Sequence, residues 1–167
     1  LRHIGALTKG VSRSASIQRN LLPVLLHWLS KGANPDGGLA SFRAISDSLG
    51  ESHWYLRLLR DSAGAAERLS TVLSQSTFVA GLIERVPDSV AWLDDDDQLR
   101  PRALTELSKE FEAIDGRHES TVDAAKSIRF ARRREILRLS LAFVLGLIDI
   151  HELGDALSDV TTATLQI

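Results

Sequence analysis

Arg132-Arg133-Arg134-Glu135-Ile136-Leu137-Arg138-Leu139 runs without a break into Ser140-Leu141-Ala142-Phe143-Val144-Leu145-Gly146-Leu147-Ile148. Two adjoining stripes emerge at helical spacing: Ile136, Leu139, Phe143 and Leu147, and Leu137, Leu141, Val144 and Ile148. A face that wide predicts a long helix, from Ser120 or Thr121 to about Gly146, packed against more than one neighbour. A tight corner follows. His151 to about Leu165 then reads as a last helix that buries Leu153, Leu157 and Val160.

The same periodicity continues towards the N-terminus. Leu104, Leu107, Phe111 and Ile114 form one stripe, with Pro101 suited to the helix start. Pro87 sits at an expected first turn leading to Val90, Trp92 and Leu93, and Ser76 is placed to cap a helix through Arg85. Ala65 to Leu73 and the short Trp54, Leu56, Leu58 and Leu59 segment precede these. Leu39, Phe42, Ile45, Ser46 and Leu49 make an amphipathic helix ending at Gly50. Ile17, Leu21, Val24, Leu25, Trp28 and Leu29 share a face, with a kink or restart near Asn20 expected from Pro23. No strand pattern stands out. The expectation is an all-α bundle of about eight helices with short loops and no sheet.

Composition narrows the function classes. The 167 residues are 44 % hydrophobic and 25 % charged, enough for a core in one domain. A net charge of −2 gives no global attraction to nucleic acid or an anionic membrane, so neither is expected as a partner. Cysteine is absent, which excludes disulfides and thiolate metal sites; a cytoplasmic location is the default. The charge-free run between Arg138 and Asp149 is far shorter than the roughly 20 residues a bilayer demands. Leu1 to Gly10 carries no signal-peptide pattern. The lack of methionine, at position 1 and elsewhere, suggests an internal piece of a longer protein.

Three constellations could carry chemistry. Asp94-Asp95-Asp96-Asp97 offers carboxylates to a hard cation, but no second acidic motif converges on it, so a solvated loop capping the next helix is the expectation. The arginines Arg129, Arg132, Arg133, Arg134 and Arg138 are the second. Guanidinium forks suit phosphate, and Arg132, Arg133, Arg134 and Arg138 are the candidates for a phosphate or interdomain contact. Glu135 is available to Arg132 or Arg138 three residues away, and the competing view pairs this basic face with acidic neighbours such as Glu106, Glu110 and Glu112. The histidines His3, His27, His53, His118 and His151 show no metal-ligand spacing, and His27 and His53, beside tryptophans, are expected to be partly buried. No Walker loop, dinucleotide fingerprint or nucleophile elbow is present.

Several ordered stretches resemble one family. They are Ser14-Ala15-Ser16-Ile17-Gln18-Arg19-Asn20-Leu21-Leu22-Pro23-Val24-Leu25-Leu26-His27-Trp28-Leu29, Phe42-Arg43, Ser52-His53-Trp54-Tyr55-Leu56-Arg57-Leu58-Leu59-Arg60-Asp61-Ser62 and Ala65-Ala66-Glu67-Arg68-Leu69. Arg132 to Arg138 and Leu157-Ser158-Asp159 complete the set. Together they resemble the bifunctional glutamine-synthetase adenylyltransferase and adenylyl-removing enzymes of actinobacterial type. The resemblance implies two nucleotidyltransferase halves joined by a helical regulatory segment, with magnesium and ATP as cofactors of the whole enzyme. Glutamine synthetase and a PII-type signal protein are its implied partners, with glutamine as a regulator.

The Gly-Ser-x-Asp-x-Asp of such active sites is missing here, so no catalytic, cofactor or metal residue is carried over. The chain is expected to be a non-catalytic helical connecting segment in contact with the flanking halves. Residues 1–34 would end the adenylyl-removing half or a linker, and residues 35–167 would lead into the adenylyltransferase half. Two rival readings remain. One is a stand-alone interaction module using Trp28, Trp54 and Trp92; the other is a small metal-dependent phosphotransfer enzyme using the aspartates and arginines.

Overall fold

The computed structural model describes residues 13–49 and 52–167, with side chains from Arg19 onward. Gly50, the Ile17 side chain and Leu1 to Gly10 lie outside the described residues. Among those described, every regular element is helical: α1 (Arg13–Leu29), α2 (Pro35–Leu49), α3 (His53–Asp61), α4 (Ala63–Gln75), α5 (Thr77–Arg85), α6 (Leu104–Asp115), α7 (Thr121–Val144) and α8 (Ile150–Leu165). Two 3-10 stretches, Pro87–Asp94 and Asp96–Leu99, stand between α5 and α6. The chain divides into two compact units, one through Asp96 and one over Asp97–Ile167.

In the first unit α2 and α4 make the most extensive helix pair, and α1, α3 and α5 gather around them. Leu39, Phe42, Ile45, Ser46 and Leu49 are all buried, as their spacing predicts. Close approach depends on small residues. A Cβ on Gly38 would lie 3.0 Å from the Ser74 Cα, and the Asn34 amide donates to the Ser74 carbonyl at 2.8 Å. Ser70 and Ser74, buried on α4, return their hydroxyls to the carbonyls of Ala66 and Ser70, so no polar atom is stranded at the contact.

Several local expectations change. α1 runs continuously from Arg13 to Leu29 with Pro23 inside it on the exposed side, so there is no restart near Asn20. Val24 on that helix is exposed. Tyr55 rather than Trp54 is the buried aromatic of α3. The segment after Pro87 is a 3-10 helix, though its Pro stands at the helix start as expected. Ser76 caps α5, accepting from the Val79 amide at 3.3 Å.

The second unit is a three-helix arrangement in which α6, α7 and α8 all touch one another. Two neighbours for α7 agree with its wide apolar face. Leu137, Leu139, Leu141 and Ile148 are buried, whereas Phe143 and Leu147 are exposed. α8 presents Ala156, Val160 and Ala163 as its buried line, with Leu153 and Leu157 half-buried beside it, so the tightest contact uses small side chains. α6 starts at Leu104, not at Pro101, since Ala103 stays extended and Arg102 is drawn onto α6 and α7.

Candidate functional site

The segment before α6 carries Arg102 over two carboxylates. Its Nη1 bonds to Glu110 of α6 and reaches Glu135 of α7 at 3.3 Å. Glu135 is only 5 % exposed and also holds Arg138, with an Nε–Oε2 distance of 3.2 Å. Arg138 in turn donates from Nη1 to the Gln98 carbonyl. Burial opposes the Arg102 charge, but the Glu110 hydrogen bond and the charges of Glu110 and Glu135 outweigh it and hold the guanidinium above its usual value. Two carboxylates thus neutralise two arginines and tie residues 98–102 to the α6–α7 hairpin.

A cleft of about 550 Å³ opens beside this network. α6 and the turn after it contribute Glu110, Ala113, Ile114 and Arg117, while α7 contributes Lys126, Phe130, Arg134, Glu135 and Arg138 along one face. Phe130 is half exposed in it. At the rim the Ser127 hydroxyl and His118 Nε2 lie 2.9 Å apart, which fastens the turn carrying Arg117 to α7. Cations outnumber carboxylates in the lining: Arg102, Arg117, Lys126, Arg134 and Arg138 against Glu110 and Glu135. Lys126 also pairs with Asp123 at 2.9 Å.

Of the four arginines singled out in the sequence, Arg134 and Arg138 line this cleft. Arg132 and Arg133 are exposed and do not. Arg102 and Arg117 escaped the sequence reading because they belong to no cluster in the chain and reach α7 only when α6 folds back on it, and Lys126 and Phe130 were passed over on α7 itself. Lys126, Phe130, Arg134 and Arg138 do recur every four residues, and that spacing was the available signal.

Asp94, Asp96 and Asp97 are engaged by partners within the fold. Ser62 donates to Asp94 at 2.5 Å, Arg68 pairs with Asp96 at 2.6 Å and Arg100 with Asp97 at 2.9 Å. Among the described residues no three His, Asp or Glu side chains are grouped to hold a metal ion. The tryptophans form no common surface: Trp92 is buried, Trp28 half-buried and Trp54 exposed. His27 and His53 are exposed instead of partly buried. Trp54 borders a shallow depression with Arg57, Asp61 and Asp94; the Arg60 hydrogen bond lowers the Asp61 pKa, opposed by desolvation and helped by the Arg60 and Arg57 charges. Among the described residues no helix is long and apolar enough to cross a membrane.

The family model described as glutamate-ammonia ligase adenylyltransferase matches residues 66–167, which take in α5 to α8 and most of α4. This chain belongs to that family. Relatives of the adenylyltransferase family align over nearly all of it. A bifunctional glutamine synthetase adenylyltransferase/adenylyl-removing enzyme of Leifsonia xyli is 60 % identical over 96 % of the chain. Enzymes of the same description from Cutibacterium acnes and Streptomyces coelicolor are each 44 % identical over 99 %. The chain spans 16 to 18 % of the length of these three relatives.

Proposed function

We propose that this chain is a non-catalytic helical connecting segment of an enzyme that adenylylates and deadenylylates glutamine synthetase. The observation that carries the reading is the alignment with bifunctional enzymes over 96 % of the chain at 60 % identity. The commitment of Asp94, Asp96 and Asp97 to partners within the fold supports it, since those carboxylates serve as local ties. On this reading magnesium and ATP act in the nucleotidyltransferase halves, and this segment contacts those halves. Glutamine synthetase and a PII-type protein are the partners of the whole enzyme, which acts in the cytoplasm.

The test is direct. The purified chain, incubated with glutamine synthetase, labelled ATP and magnesium, is expected to leave glutamine synthetase unmodified while remaining helical and cooperatively folded. AMP transferred by the chain itself overturns the reading.

A further inference from the structure

We propose that the outward face of α7 is a docking surface for an acidic helix of a partner protein. At steps of three and four residues Arg129, Arg132 with Arg133, Ile136, Ser140 and Phe143 fall on one side of the helix. α6 and α8 pack against its other sides, where Ile128, Glu135, Leu139 and Ala142 are buried. Nothing covers the outward side: the three arginines and Phe143 are exposed, Ile136 and Ser140 half-buried. Among the described residues none of these three guanidinium groups makes a hydrogen bond or ion pair, whereas Arg134 and Arg138, turned away from this face, are engaged. Glu135, within sequence reach of Arg132, is instead bound by Arg102 and Arg138. Arg129 stands three and four residues from Arg132 and Arg133, a spacing at which like charges repel. Carboxylates laid opposite them replace that repulsion with attraction.

The face changes character along its length. Arginines hold its N-terminal part, while Ile136, Phe143 and, just past the helix end, the exposed Leu147 make its C-terminal part apolar. Arg129 to Phe143 covers about 21 Å of a surface one helix wide, a shape that a second helix laid along it complements. Every cation on it is an arginine, and interfaces are enriched in arginine and aromatic residues but depleted in lysine. Obligate interfaces are more hydrophobic than a face half made of charge, so the partner is one that binds and leaves. Two other occupants fit less well. A helix lying on a bilayer keeps apolar residues along its whole length on one side and cations on the other, whereas here the two zones follow one another along the axis. A second copy on the same face would gather two sets of unpaired guanidinium groups with no carboxylate between them.

The probe is a stapled helical peptide of roughly 20 residues with glutamates in one half of a single face and leucines in the other half, made in both orders. In calorimetric titrations the protein is expected to bind at least one order saturably, with an affinity that falls as salt is raised. Arg132→Glu/Arg133→Glu should weaken binding by about tenfold or more, and Phe143→Ser by about fivefold or more. Arg85→Glu, at an exposed position on α5 in the first unit, keeps wild-type affinity and serves as the control. The substituted side chains are exposed, and circular dichroism with urea midpoints establishes that each variant is folded. No saturable binding of either order, equal binding of a peptide with lysines in place of the glutamates, or an affinity untouched by Arg132→Glu/Arg133→Glu would overturn the proposal. A dimer of the protein that Phe143→Ser dissolves, or attachment to phosphatidylglycerol vesicles that the arginine variant abolishes, would overturn it too, since each gives the face to another occupant.

Discussion

Glu135 is the residue on which the second unit turns. A buried carboxylate is costly unless it is paired, and Glu135 is held between Arg102 and Arg138 from two sides. Glu135→Gln is expected to lower the unfolding free energy by about 2 kcal/mol, because two guanidinium groups lose their shared counter-ion. Glu106, exposed and 3.9 Å from Arg102, provides the contrast: Glu106→Gln should shift stability by less than about 0.5 kcal/mol. Urea unfolding with unchanged slopes measures both, and equal effects would rule out a special role for Glu135. Half of this was readable in the chain. The three-residue spacing of Glu135 and Arg138 announces a pair on one helix, but Arg102 stands 33 residues away and enters only through the fold.

At the scale of elements, the corner between α7 and α8 shows how local chemistry stops one helix and starts another. Gly146 adopts φ +71°, the Leu147 amide donates to the Ala142 carbonyl at 2.8 Å and the Gly146 amide to Phe143 at 3.0 Å. Those two bonds close the helix end in a Schellman motif. Asp149 then accepts from the His151 and Glu152 amides, and Glu152 accepts from the Asp149 amide, a reciprocal cap. Gly146→Ala meets no neighbouring atom yet forces a left-handed backbone, so a loss of about 1 kcal/mol is expected. Asp149→Ala should cost about 1 kcal/mol through the cap alone. Denaturant midpoints check both, and an unchanged Gly146→Ala midpoint would contradict the backbone argument. Helix positions were legible because turn residues and 3.6-residue periodicity act within one stretch of chain. The face of α8 was not, since Leu153 and Leu157 fit the same period as Ala156 and Val160, and the neighbouring helices decide which line lies closest.

At the scale of the whole molecule, one group reports on folding without interference. The chain contains a single tyrosine, and Tyr55 is fully buried on α3 with its hydroxyl 2.8 Å from Ser46 Oγ. Burial raises the phenol pKa far above its ordinary value, and the Ser46 hydrogen bond offsets only part of the rise. A group raised on folding contributes its full stability below the unfolded value, about pH 10 for tyrosine, and loses it as pH climbs towards the folded value. Sequence periodicity pointed to Trp54 for this place, because adjacent aromatics on a nine-residue helix leave the register undecided. The Ser46 contact from α2 identifies Tyr55 as the inward side chain. Tyrosinate absorbance is therefore expected to stay flat past pH 10 and then rise together with the loss of helical ellipticity. Tyr55→Phe strands the Ser46 hydroxyl, costing about 1–2 kcal/mol near neutrality, yet removes this group's share of the alkaline decline. A tyrosinate signal that rises near pH 10 while the helices persist would show an ionisable, solvent-reached phenol and defeat the argument.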